Sequence, residues 1–442
     1  MRGVLYICLA LWLLGCRDPA GQPEPTRVEA GGPSAAATQE LVWVKSRSKL
    51  GVPLHPALKS SSLSGRIRNG SRVRVLGYSS DRSWLEVQTQ GGDRGWISAR
   101  YLSVAREAVE PLGARPDSVW TSPESCERII ASGKQLTKPA DRVRVGSWNI
   151  RWFPDGGPGA TEQPTQIEWL ACGVAWLGVD LLAVQEFKRG ASDPAVKRLI
   201  TQLRRHTGDA WELLLDDCPS DNRQHVGVLY KADRLTLTRL ASEPEVNPKA
   251  NAGSRRLGAG GRGCAGRLRP GFGASVQHAS GLDFELLVLH LKSGTDRGDY
   301  LMRRRSLSGL GALLERRTRA AAERDVVVLG DWNSMGCAGC SPPTNAAQER
   351  AALATEVSAS GLRLLSAACT EYYKGKPGAL DHIAISRSMA EAAGAELQVS
   401  GFCAEANCAT VPRSSAAQSP AAQQQLSDHC PVLVDLLATD LD

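Results

Sequence analysis

The feature that most constrains this chain is a series of short apolar runs, each with a polar residue suited to chemistry at one end. They fall at 143–148, 181–185, 226–230, 285–291, 326–330, 381–385 and 431–436. Their length and apolar content are those of buried strands. Between some of them the spacing switches to one buried face per helical turn, as in Ile167, Leu170, Ala171, Val174 and Leu177. Residues 301–319 predict another helix, with an arginine-rich exposed side. Strands with interspersed helices predict layered sheets covered by helices, an α/β (α+β) arrangement. No internal repeat is present. At 442 residues the chain exceeds what one core usually fills, so two domains with tails are expected.

The polar ends are specific. Asn149 closes the first run within Ser147-Trp148-Asn149-Ile150-Arg151, and Glu186 closes the second. His290 ends Leu286-Leu287-Val288-Leu289 and is followed by Lys292-Ser293-Gly294. Asp331-Trp332-Asn333 follows Val326 to Gly330, Asp381-His382 opens Ile383-Ala384-Ile385, and Ser427-Asp428-His429 opens Pro431-Val432-Leu433-Val434. A buried strand with charge at its mouth is how a rigid scaffold holds reactive groups.

This order of residues resembles the endonuclease/exonuclease/phosphatase superfamily over roughly 143 to 437. Its most specific parts here are Gly330-Asp331-Trp332-Asn333-Ser334 and Ser427-Asp428-His429-Cys430-Pro431-Val432. The resemblance implies a four-layer sandwich of the deoxyribonuclease-I-like type over 141–442, and hydrolysis of phosphoesters with a divalent cation, usually Mg²⁺, with Mn²⁺ or Ca²⁺ as alternatives. Asn149, Ile150, Arg151 and Phe153 look closer to the deoxyribonuclease branch than to the lipid phosphatases.

The roles follow from the reaction, which needs an activated water, a stabilised phosphoryl oxyanion and a leaving oxygen. Glu186 is the expected metal ligand, because a hard carboxylate oxygen suits Mg²⁺, with Asn149 in support. His429 is the expected general base, since imidazole titrates near neutral pH. Asp428 precedes it directly, so the two side chains point to opposite sides of an extended backbone. The orienting partner is then Asp331 or another carboxylate from elsewhere in the fold. The resemblance implies that Asp331 orients the water and Asn333 donates to phosphoryl oxygens. It also implies that His290 is general acid or phosphate ligand, with Asp381 beside it. In the deoxyribonucleases a glutamate supports that imidazole; Gln224 stands at the matching place here, which weakens the acid role because glutamine cannot stabilise imidazolium as well. His382 reads as a packed or solvent-facing histidine and His225 as structural, and His206 and His278 have no identifiable partner. Trp148, Trp152 and Trp332 read as packing.

The N-terminus reads as an export signal. Met1-Arg2 is followed by an apolar stretch from Val4 to Leu14, too short to span a bilayer comfortably. It closes on Leu13-Leu14-Gly15-Cys16, which resembles the lipobox of bacterial lipoproteins. That implies acylation of Cys16, attachment to the envelope by a lipid anchor only, and removal of residues before Cys16. An ordinary cleaved signal is the alternative. Residues 17–39 read as a flexible linker. Beyond Cys8 and Cys16, ten cysteines remain, and an even set in an exported chain predicts disulfides. Cys337-Ala-Gly-Cys340 reads as a tight local disulfide rather than half a zinc site.

Residues 40–105 switch to short β-rich pieces separated by turn clusters such as Asn69-Gly70 and Gly91-Gly92-Asp93. Gly70, Val73, Val75, Trp84, Val87, Gly91, Gly92, Gly95, Trp96, Ile97, Tyr101 and Leu102 resemble the bacterial SH3-like domain, which implies a small all-β barrel ahead of the α/β unit. Such domains often bind cell-wall peptides; a spacer with core tryptophans is the alternative. Residues 106–140 read as a proline-containing connector.

The formal charge of +7 favours polyanions. From Lys249 to Arg269 there are five arginines, one lysine and no acidic residue, as a loop on a nucleic-acid backbone would have. Arg269 resembles the family's phosphate-contacting arginine; Arg151 and Lys292 are further substrate-binding candidates, and Arg303-Arg304-Arg305 is a second basic patch. Few aromatics decorate either patch, which gives no sign of single-strand stacking. The reading is an exported endonuclease cleaving DNA with little sequence preference. The alternatives are a lipid phosphodiesterase resembling the sphingomyelinases, and a cell-wall binding lipoprotein with an inactive hydrolase domain.

Overall fold

The computed structural model describes residues 41–44, 50–68, 71–80, 83–89, 91–103, 118–157, 163–188, 190–216, 224–247, 268–410 and 421–442. Cys16, most of the loop from Lys249 to Arg269, Cys218 and Cys264 therefore lie outside the described residues. Two compact units divide the chain, Met1–Ala108 and Val109–Asp442. No described helix is long and apolar enough to cross a membrane.

The first unit is all-β. Strands β1 (Leu41–Val44), β4 (Ser71–Tyr78), β5 (Trp84–Thr89), β6 (Arg94–Ser98) and β7 (Leu102–Ser103) form an antiparallel sheet in the order β6-β5-β4-β1-β7, beside a hairpin of β2 (Val52–Leu54) and β3 (Gly65–Ile67). In β5 and β6 alternate residues face inward, as a one-sided core requires. Val44, Val52, Leu54, Ile67, Val73, Leu85, Val87 and Ile97 form that core. Gly95 has a plain reason: a Cβ there would sit 2.6 Å from the His55 carbonyl. Trp84 and Trp96 are only half-buried, and Trp84 meets the His55 ring edge-on at 5.1 Å. They are surface-facing aromatics, not core.

The second unit is a sandwich of two six-stranded mixed sheets. One is ordered β10-β11-β9-β8-β21-β20, from β8 (Arg142–Asn149), β9 (Leu181–Phe187), β10 (Trp211–Leu215), β11 (His225–Lys231), β20 (Gln398–Val399) and β21 (Val432–Leu437). The other is ordered β12-β13-β14-β15-β19-β16, from β12 (Leu235–Glu243), β13 (Gly271–His278), β14 (Asp283–His290), β15 (Val326–Asp331), β16 (Leu362–Leu365) and β19 (Asp381–Ser386). A small hairpin, β17 (Glu371–Tyr373) and β18 (Lys376–Gly378), stands apart. Each sheet has one central parallel pair, β8/β9 and β14/β15. Parallel neighbours need a long crossover, and helices supply it: α2 (Ile167–Leu177) in the first sheet, α4 (Arg297–Ser308) with α5 (Leu310–Ala321) in the second.

Apolar residues from both sheets interleave between them, among them Val145, Ala183, Val228, Phe272, Leu286, Leu329, Ile383 and Val434. The outer face of the first sheet is covered by α1 (Pro123–Ala131), α2 and α3 (Pro194–Thr207), and that of the second by α4, α5 and α6 (Ala346–Ala359). The layers are therefore helix, sheet, sheet, helix, as expected for this segment.

Three details differ from the sequence reading. The helix at 301–319 is two helices, because Gly309 interrupts it; glycine is the weakest helix former after proline. The stretch 106–140 is not only connector: α1 lies in it and is bonded to α2 through Cys126–Cys172. Finally, Arg303-Arg304-Arg305 is not a basic patch. Arg303 is fully buried, forms a two-pronged pair with Glu349, and donates to the carbonyls of Lys292, Gly294 and Gly336. Arg304 pairs with Glu356, which leaves Arg305 exposed. Removing one partner of such a buried pair typically costs about 3–5 kcal/mol.

Candidate active site

Topology gathers the polar ends. The parallel strands β8, β9, β14 and β15 all finish at the same end of the sandwich, with Asn149, Glu186, His290 and Asp331. Strands β19 and β21 run antiparallel to β15 and β8, so their beginnings arrive there too. The register places His290 beside Asp331 and Asp331 beside Asp381. Val432 pairs Ser147, which brings the residues just before β21 alongside Asn149. Gly330 has φ +139°, and a Cβ would meet the Leu289 carbonyl at 2.0 Å, so only glycine can precede Asp331 here. Glu186 (φ 65°) and Asn333 (φ 51°) are left-handed non-glycine residues, a strained backbone that clusters at functional sites.

His429 and Asp381 are the best-formed pair. His429 Nδ1 lies 2.8 Å from Asp381 Oδ2, which also accepts a hydrogen bond from Thr370 Oγ1 at 2.7 Å. Thr370 Oγ1 accepts in turn from the backbone N–H groups of Leu380 and Asp381. The His429 backbone is pinned as well: its N–H donates to Ser427 Oγ, and its carbonyl accepts from Trp148 Nε1 at 3.0 Å. Burial would lower the pKa of this imidazole, but Asp381 and Asp331, with Asp428 behind them, hold it well above the usual histidine value. The orienting carboxylate is thus Asp381. It sits beside His429 and not, as the resemblance implied, beside His290.

Asp331 is the hub. Its Oδ2 accepts from Asn149 Nδ2 at 2.9 Å and lies 3.4 Å from His290 Nε2 and 3.8 Å from His429 Nε2. Its Oδ1 accepts from the Asn333 N–H at 2.9 Å. Burial pushes its carboxyl up to about 7, with Asp381 adding to the rise and His429 opposing it. Asn333 spends one amide hydrogen on the Leu291 carbonyl. His290 is held well below the usual value by burial first, then by Arg269 and His429, and its Nδ1 is buried with no hydrogen-bond partner.

Glu186 Oε2 accepts from the Trp152 N–H at 3.0 Å, and its Oε1 accepts from Asn149 Nδ2 at 3.2 Å. Burial raises its carboxyl against the pull of Arg269. Its side chain is 15% exposed, so one edge faces the mouth. Arg269 donates to Gln224 Oε1 and acts electrostatically on Glu186 and Asp331. Gln224 therefore positions the arginine and does not orient His290. Asp428 is half-buried and acts on Glu186 and His429. Two substrate candidates are engaged elsewhere: Arg151 donates to the Gln424 carbonyl, and Lys292 pairs with Asp299 at 2.9 Å.

The packed histidines behave as read. His382 is fully buried between Ser334 and Ser366 against Trp332, and His225 pairs with Asp216. His206 has a partner after all, Glu127 at 3.3 Å.

Sequence reasoning missed Thr370 and Glu371. Glu371 bridges His429 through the backbone, and burial with Asp428, Asp381 and Asp331 pushes its carboxyl up to about 8 against His429. Thr370 immediately precedes, and Glu371 begins, a three-residue strand with no apolar pattern to mark it. The one available signal is that Thr370 follows Cys369 and His429 precedes Cys430. Disulfides Cys369–Cys408 and Cys403–Cys430 tie these segments to one short helix region at 401–409.

Comparison with known proteins adds the following. Residues 57–103 match the bacterial SH3 domain. No curated protein sequence matches the chain. Among solved structures, the human nocturnin catalytic domain is similar at 15% identity and TM-score 0.41, covering 69% of this chain and 97% of that one. An endonuclease/exonuclease/phosphatase family protein of Bacteroides thetaiotaomicron is similar at 14% identity and TM-score 0.41, over 68% and 99%. The same organism's mannosyl-6-phosphatase is similar at 13% identity and TM-score 0.40, over 66% and 99%.

Proposed function

We propose that the second unit is a divalent-cation-dependent phosphodiesterase and that its substrate is DNA, cut with little sequence preference. The observation that carries this is the hub at Asp331, which joins two imidazoles, an amide and a nearby guanidinium in one buried pocket. Such a set can take a proton from water and meet developing negative charge with fixed donors.

The donor set fits a hard cation. Asn149 Oδ1 is buried without a hydrogen-bond partner, next to the partly exposed carboxylate of Glu186. Oxygen donors of this kind suit Mg²⁺, with Mn²⁺ or Ca²⁺ as alternatives, and Glu186 with Asn149 would hold it. When bound, such a cation supplies Lewis-acid stabilisation of a phosphoryl oxygen.

The chain's own residues do the rest. Asp381 fixes the His429 ring so that Nε2 faces the pocket, and neutral His429 accepts the proton of the attacking water. The imidazolium formed is stabilised by Asp381 and Asp331, the same charges that raise its pKa. Asn333 has one amide hydrogen left for a phosphoryl oxygen, and Arg269 supplies positive charge beside it. His290, held well below the ordinary histidine value, is neutral at pH 7. It serves as a hydrogen-bond donor to the phosphate and not as the source of a proton for the leaving group.

Nucleic acid is favoured by the arginine-rich sequence leading to Arg269 and by the β17–β18 hairpin beside His429. That hairpin exposes Tyr373, with the Lys374 ammonium 4.7 Å over its ring, and Lys376. Export with a lipid anchor at Cys16 is part of the proposal, and the four disulfides among the described residues support an oxidising compartment. The SH3 domain is proposed to hold a cell-wall peptide through Trp84 and Trp96.

One panel tests the reading: supercoiled plasmid, RNA and sphingomyelin, each with Mg²⁺, Ca²⁺ or EDTA, using wild type and His429→Ala. Plasmid cleavage that needs the cation and His429 is the expected result. Turnover of sphingomyelin with plasmid untouched would replace DNA by lipid as substrate.

A further inference from the structure

A second carboxylate cluster lies at the opposite end of the same sheet. Asp325 immediately precedes β15, so about 20 Å of strand separates it from Asp331. Glu391 sits on the short 3-10 turn Ala390–Ala392 that follows β19. The two are 2% and 0% exposed, and their carboxyl groups lie within hydrogen-bonding reach of each other. Around them stand Glu323, Asp283 at the start of β14, and Asp440 and Asp442 of the tail after β21.

From this arrangement we propose that Glu323, Asp325, Glu391, Asp440 and Asp442 form a Ca²⁺ site that fastens the C-terminal tail to the start of β15. Ligand oxygens of Glu323, Asp325 and Asp442 lie within 4.8 Å of one another, and so do those of Glu391, Asp440 and Asp442. Asp442 belongs to both groups, so the oxygens form one continuous cluster.

Glu391 supplies the independent sign of a missing ligand. Its Oε1 accepts the Leu441 N–H, whereas Oε2 is buried and accepts no N–H or hydroxyl among the described residues. A buried carboxylate oxygen left in that state is costly. The charges acting on Asp325 are Glu391, Asp442 and Glu323, and those acting on Glu323 are Asp283 and Asp442.

Carboxylate oxygens gathered this closely from separate segments are a ligand set for a cation. Several carboxylates on separate segments, two of them at an exposed mouth, suit Ca²⁺, which takes six to eight oxygens in flexible geometry. Mg²⁺ demands a tighter octahedron and keeps its waters. The site is structural: it joins three segments remote from the reacting groups.

The test uses the full chain, stripped with EDTA, dialysed and titrated with CaCl₂ by calorimetry and thermal unfolding. Glu186→Gln serves as the background, so that the pocket described above does not contribute. That background is expected to bind one Ca²⁺, with Tm rising by about 4 °C at a hundredfold excess over Kd. Adding Glu391→Gln abolishes both effects. So does adding the exposed pair Asp440→Asn and Asp442→Asn, which leaves the core untouched and decides the matter if Glu391→Gln folds poorly. No Ca²⁺ binding by the Glu186→Gln chain would overturn the site and leave its carboxyls held by protons only. Binding that survives the Asp440→Asn and Asp442→Asn pair would overturn it equally.

Discussion

The two ends of β15 carry the same chemical group in opposite company. At one end Asp331 is buried with its carboxyl pushed up to about 7, and at the other Asp325 is buried with its carboxyl pushed up to about 8. Asp331 is surrounded by nitrogen: Asn149, the Asn333 N–H, His290 and His429 all lie within 4 Å of its oxygens. Asp325 is surrounded by carboxylates. A raised carboxyl pKa therefore identifies burial and not a role. What separates a reactive site from an ion-binding or merely repulsive one is whether the neighbours can give and take protons.

The largest effect is expected at the nitrogen-rich end. Asp331→Asn removes the carboxylate shared by both imidazoles and should lower kcat/KM about 10³-fold. A loss below tenfold, measured on plasmid or a small diester, would break the comparison, since the hub would then be dispensable.

Asp381→Asn should cost about 10²-fold and also move the pH profile. His429 is raised above the ordinary histidine value, and its neutral form is the base. Activity therefore climbs with pH as the imidazolium loses its proton, with the rising limb above pH 6.5. Without the Asp381 charge that limb shifts to lower pH. A profile of kcat/KM from pH 5 to 9 that lost rate without shifting would reduce Asp381 to packing.

At the carboxylate-rich end, stability should respond instead of rate. The folded-state pKa of Asp325 is raised from 3.8 to about 8. Its contribution therefore favours folding below pH 4 and is lost as pH climbs toward 8. In EDTA at pH 8, Glu391→Gln should raise Tm by roughly 2–3 °C over wild type, the gap closing near pH 4, with kcat unchanged. An equal Tm at both pH values would remove the repulsion from the account.

The smallest effect concerns the hairpin that shares an edge with the site. Tyr373→Ala should raise KM for single-stranded DNA roughly fivefold and leave a small diester unaffected. Equal KM for both variants would confine recognition to the arginine side.

Much of the nitrogen-rich end was legible in the sequence, because each group there closes or opens an apolar run whose strand character is plain. Glu186, His290 and Asp331 each close such a run, but that their strands run parallel and finish at one end is a finding of the structure. The pairing of Asp381 with His429 could not be, because it depends on β19 and β21 lying on different sheets. Thr370 and Glu371 were invisible for another reason: β17 has three residues and no alternation to read. The cluster around Asp325 gathers a strand start, a 3-10 turn and the tail, whose sequences carry no common pattern. Arg303 was misread because exposure was inferred from charge, whereas its partner Glu349 comes from a helix some forty residues away.

The most direct test of the central claim is cleavage of supercoiled plasmid by wild type and His429→Ala with Mg²⁺, alongside the Tm of each. The account predicts that wild type relaxes the plasmid, that EDTA stops it, and that His429→Ala loses about 10²–10⁴-fold in rate with its fold intact. A wild type inert on plasmid, RNA and phospholipid, or a His429→Ala variant as active as wild type, would contradict it.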